Sequence, residues 1–130
     1  MPPRMMEHDA DPKVVLKEQI GNTDSFEIYN NQILIAVYVR PEKTKSGIFL
    51  TDSHRDEDRH QSKVGLVVKM GPEAFNDPNG NWFRDMDVKI HDWVVYRPSD
   101  GWTITVNNVL CRALKDTNVR GSVPQPDMVW

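Results

Sequence analysis

Asp52, His54, Asp56, Asp58 and His60 crowd one short polar stretch. Imidazoles and carboxylates are the groups that hold zinc or harder cations. A metal centre also needs a firm scaffold and partners that orient each ligand. Here Arg55 and Arg59 interrupt the acids in what reads as a loop. A solvated charge run is the stronger reading, and no metal is expected. Cys111 is the single cysteine, so it can form neither an internal disulfide nor a thiolate zinc site alone. It lies in an apolar strand pattern and reads as a small core side chain rather than a nucleophile. His91 precedes Asp92 at a turn and reads as exposed. The chain has no glycine-rich phosphate loop, nucleophile elbow or His-Glu-x-x-His motif. Neither catalysis nor a cofactor is expected.

The remaining candidates are aromatic. Trp82, Trp93, Trp102 and Trp130 could stack bases, as single-strand binders do. They are not interleaved with Lys or Arg, and 16 basic against 19 acidic residues leave a net charge of −3. That balance opposes a nucleic-acid surface. Trp93 and Trp102 are expected to pack inside the fold, and Trp82 to sit at a hairpin tip. No apolar run approaches a membrane span, and the N-terminus lacks the apolar core of a signal peptide. The expected setting is cytoplasmic.

The elements that must position these residues are strands. In "QILIAVYVR", Ile33, Ile35, Val37 and Val39 share one face, and Leu34, Ala36 and Tyr38 the other. Period two with apolar residues on both faces marks a strand covered on both sides. "KVGLVVKMGP" places Val64, Leu66 and Val68 together. Further strands are expected at Trp93–Arg97, in "WTITVN" with Trp102, Ile104 and Val106 inward, and in "NVLCRAL" and "TNVRGSV". "VVLKEQI", Val14 to Ile20, suits either a short strand or a helical turn. Asn79-Gly80 is a strong hairpin signal. Short strands with Gly and Pro turns and no convincing helix indicate an all-β barrel or sandwich. At 130 residues the chain suits one domain.

One stretch fits this pattern badly. Gly47, Ile48, Phe49 and Leu50 lie inside a long charged loop. As a core strand, Ile48-Phe49-Leu50 would be isolated from the next apolar run at Val64. As an exposed docking segment, it would bury a few hundred Å², roughly 5–8 kcal/mol gross. Ordering the loop consumes much of that gain. One copy would therefore bind weakly, while several copies in one assembly would bind tightly.

With these residues in view, the chain resembles the small co-chaperonin (GroES-like) family. "NQILIAVYVRPEKTKSGIFLTD" is similar to that family's first core strand and mobile loop. "KVGLVVKMGP", "DVKIHDWVVYRPSDGWTITVNN" and "VLCRALKDTNVRGSV" resemble its later strands, in the same order. The resemblance implies a small irregular β-barrel over 31–123, with a mobile loop at 41–63 and a roof hairpin at 71–87 that carries Asn79, Gly80 and Trp82. Residues 1–30 would be an N-terminal arm and 124–130 a C-terminal tail. The resemblance also implies a homo-oligomeric, seven-membered ring. Terminal strands of neighbours would pair around it, with Ile33, Leu34, Ile35, Val119 and Val123 at the subunit interface. Gly47, Ile48, Phe49 and Leu50 would grip the apical domains of a chaperonin and so cap its folding chamber. At His91 the family pattern has glycine, so the turn there is expected to take a different backbone path.

The arms suggest a divergent, phage-type relative, working in the host cytoplasm if viral. They also raise an alternative: a virion structural protein, such as a capsid decoration or head–tail component. That protein would use the same barrel and attach to other virion proteins through its arms.

Overall fold

A computed structural model describes residues 11–24, 26–39, 62–76 and 88–126. Six strands, β1 (Gln32–Val37), β2 (Val64–Met70), β3 (Trp93–Val95), β4 (Trp102–Val106), β5 (Val109–Lys115) and β6 (Gly121–Val123), form one sheet in the order β4-β5-β1-β2-β3-β6. Every pairing is antiparallel. The all-β expectation holds. Among the described residues the sheet is not closed: β4 and β6 end the order and do not pair with each other.

β1 shows why the alternation in the sequence was informative. It lies between β5 and β2, and its side chains divide by parity into two cores. Leu34, Ala36 and Tyr38 join Val64, Leu66, Val68, Trp93, Val106, Val109 and Cys111 on one face. Ile33 and Ile35 join Val67, Val94, Tyr96, Leu114 and Val119 on the other. A one-residue slip would exchange the two sets, so burial on both faces holds the register. Tyr38 packs edge-on against Trp93, with ring centroids 5.7 Å apart, a favoured aromatic geometry.

The stretch that suited either a strand or a helical turn is a helix, α1 (Pro12–Ile20). The Asp11 carboxylate accepts from Lys13 N at 2.9 Å, Pro12 opens the first turn, and Gly21 closes the helix at φ 59°. These are the ordinary start and stop devices of a helix. Leu16 and Ile20, one turn apart, face the first core. The N-terminal segment is therefore no free arm from Pro12 onward. Ile20 and Ile28 are buried in the core, and Phe26 packs against it. Lys69 Nζ donates to the Thr23 and Phe26 carbonyls at 3.0 and 2.6 Å. Asn107 Nδ2 donates to the Ile20 and Asn22 carbonyls at 2.6 and 2.7 Å.

Those contacts also explain a correction. Trp102 was expected inside but is 55% exposed. The covering segment meets β4 at its Val106–Asn107 end. At about 3.3 Å per residue, Trp102 lies about 13 Å along the strand from Val106, beyond that cover. "TNVRGSV" is likewise not one strand. A 3-10 turn, Asp116–Asn118, precedes β6. No helix among the described residues is long and apolar enough to cross a membrane.

Candidate partner-binding surfaces

The expected loop residues Gly47, Ile48, Phe49 and Leu50 lie outside the described residues, as does the Asp52–His60 cluster. The neck from which that loop leaves the sheet is described. Tyr38 N donates to the Val64 carbonyl at 3.2 Å, which extends the β1–β2 ladder by one rung. Ser62, 1% exposed, places its hydroxyl 2.9 Å from the Tyr38 carbonyl and 3.0 Å from that of Val64. Tyr96 N donates to the Lys63 carbonyl at 2.9 Å. Ser62 and Lys63, counted within the loop by sequence, thus belong to its anchored base. The buried serine thus ties the chain just before residues 40–61, at Tyr38, to the chain just after them, at Val64.

The other expected excursion leaves from the far end of β2. Asn79, Gly80 and Trp82 also lie outside the described residues, but residues 71–76 form turns packed on the second core through Ala74 and Phe75. Gly71 N donates to the Gln32 carbonyl at 2.8 Å, and a Cβ on Gly71 would strike the Asn30 carbonyl. Asp116, 3% exposed, is the hub here. Its carboxylate accepts from Asn31 Nδ2 and Phe75 N, each at 3.0 Å. Val64 to Met70 spans about 20 Å at strand rise, so Ser62 and Lys63 lie at one end of β2 and residues 71–76 at the other. The sequence reading missed Ser62 and Asp116. Small polar residues in polar stretches look like surface until their carbonyl and amide partners are known.

The interface residues separate. Ile33, Leu34 and Ile35 are 0% exposed, on a strand paired along both edges, so they offer a neighbour neither side chain nor backbone. Their apolar runs reflect two cores within one chain. Val119 is buried in the second core. Val123 alone is placed for contact: it lies partly buried on β6, which ends the sheet. Beside it is a hollow of about 260 Å³ lined by Lys13, Asp92, Trp93, Ser122, Val123 and Pro124. Among the described residues the exposed large apolar side chains are Val14, Tyr29, Ile90 and Trp102.

Cys111 is fully buried, and burial pushes its thiol up to about 11. A thiol so protonated is no nucleophile near neutrality. His91 is half-buried and has φ 75°. It is the third residue of a turn closed by Asp92 N to the Lys89 carbonyl at 3.1 Å. Here histidine adopts the left-handed conformation in which glycine is at ease. Burial first, then Lys17 and Lys13, holds its imidazole below the ordinary value. Arg112, 6% exposed, also went unnoticed in the sequence. Its Nη1 donates to the Pro98 and Asp100 carbonyls at 2.7 Å each, and its guanidinium lies 5.5 Å from the Tyr96 ring centroid. It ties the β3–β4 turn to β5. Among the described residues no group of His, Cys, Asp and Glu side chains could hold a metal ion.

Residues 25–123 match the family described as Chaperonin 10 Kd subunit. The match begins at Ser25, so it takes in the last residues of the segment expected as an arm. Among curated proteins, none matches the chain.

Proposed function

Because the chain belongs to the Chaperonin 10 Kd subunit family, we propose that it caps a chaperonin folding chamber as a homo-oligomeric ring, gripping the chamber through Ile48, Phe49 and Leu50. The observation that carries this reading is the pinned neck. Ser62 and Tyr38 hold the two ends of residues 40–61 together at one end of the sheet. An apolar triplet within so long an excursion can reach away from the body that presents it. Each triplet binds weakly, and copies fixed in one ring bind together through effective concentration. The ring would form through the open edge at β6, with Val123 at the contact. Residues 71–87 would form the roof at the opposite end.

The test combines mass measurement with one substitution. The purified protein should run as a ring and associate with a chaperonin only when nucleotide is present. Phe49→Asp should leave the ring mass unchanged and weaken chaperonin binding by at least about 100-fold, since every copy loses its anchor. A Phe49→Asp ring that still caps the chamber removes the loop from the mechanism.

A further inference from the structure

We propose that the hollow beside Lys13 is a socket for Tyr29 of a neighbouring copy, with that neighbour's Glu27 carboxylate meeting the Lys13 ammonium. The inference rests on the ring reading above. The hollow, about 260 Å³, is far larger than the 10–15 Å³ or so that admits one water. Its wall joins the apolar surfaces of Trp93, Val123 and Pro124 to three polar groups, Lys13, Asp92 and Ser122. The Asp92 carboxylate is engaged, accepting from Lys89 N at 2.9 Å. Among the described residues Lys13 Nζ has no ion pair, so the socket calls for a flat apolar body with an acidic tip.

The chain carries such a body on its own surface. Tyr29 is 65% exposed, the most exposed of the large apolar side chains described. Its hydroxyl donates to Glu27 Oε2 at 3.1 Å, so ring and carboxylate form one preassembled unit. Val14, Ile90 and Trp102, the other exposed candidates, have no such acidic partner among the described residues. Tyr29 and the socket also lie at the same end of the sheet. Tyr29 precedes the start of β1, which pairs with the end of β2, while β3 starts and β6 ends beside the hollow. The two surfaces differ, so the contact is head-to-tail, the kind that closes into a ring. Lys13 belongs to α1, outside the matched residues 25–123. The socket would thus be this chain's own addition to the interface.

A charge exchange tests the pairing, read by native mass spectrometry and sedimentation at low ionic strength on the full chain. Lys13→Glu and Glu27→Lys should each raise the concentration for half-dissociation of the ring about tenfold or more. The double variant should return it to within about threefold of the original. Tyr29→Ser should weaken the ring too, with circular dichroism unchanged in every case. In a second measurement, Tyr29→Cys with Ser122→Cys should form disulfides between copies under mild oxidation. Rings unaffected by either charge reversal, or a double variant no better than the singles, would overturn the socket and leave the ring standing. A wild-type chain that stays monomeric at every concentration would overturn the ring reading, and the socket with it.

Discussion

His91 shows how one residue carries a backbone decision. Its φ of 75° imposes the cost that a Cβ meets in the left-handed region, about 1 kcal/mol. His91→Gly should therefore raise unfolding stability by about that amount, and His91→Val should lower it, because β-branched residues fit this region worst. Chemical denaturation of both variants checks the pair. The same side chain gives a pH dependence of definite sign. Its pKa is lowered in the fold, by burial and by Lys17 and Lys13. Its contribution is thus present above the unfolded value near 6.5 and is lost as pH falls through the folded one. The resemblance had made the glycine position visible in the sequence. That histidine would accept it was not legible, because the turn is fixed by the Asp92–Lys89 bonds and by His91 N donating to the Val67 carbonyl.

Among the elements, α1 changes most between sequence and structure. Four of its nine residues, Val14, Val15, Leu16 and Ile20, are aliphatic, but the period over Val14–Ile20 is too short to choose between helix and strand. The decision came from its ends, Asp11-Pro12 and Gly21, and from the sheet that Leu16 and Ile20 cover. β1 and β2 were legible down to the assignment of each face, since strict alternation leaves little choice. The β4–β5 turn was legible in principle. Asn107 and Asn108 take φ 51° and 64°, as a two-residue hairpin loop requires. Trp102 misled because parity tells which face a residue takes, not how far along that face the cover extends. If α1 is part of the core, Ile20→Ala should cost about 2–5 kcal/mol, as for other buried aliphatic truncations, while Val14→Ala, at an exposed position, should cost under about 0.5. Urea unfolding curves separate these from the outcome expected of a loose arm, in which neither change matters.

For the whole molecule, Cys111 is a natural reporter. It lies fully buried on β5, within the first core. Its thiol should resist alkylating reagents at pH 8 until the sheet opens, so the labelling rate should follow global unfolding measured by fluorescence. Its raised pKa also predicts that stability falls as pH climbs from about 9 towards about 11, because over that range only the unfolded thiol gives up its proton. Cys111→Ala should flatten that decline. At this scale the expectation of an all-β family member stands, while Ile33, Leu34 and Ile35, chosen from an apolar run, lie buried within one chain. A run that fills two cores and a run that meets a neighbour look alike in one dimension. The pinned neck has a last consequence. Because the Ser62 hydroxyl lies 2.9 Å from the Tyr38 carbonyl, substitutions within residues 40–61 that keep this contact should leave the denaturation midpoint of the sheet where it is, which urea unfolding checks.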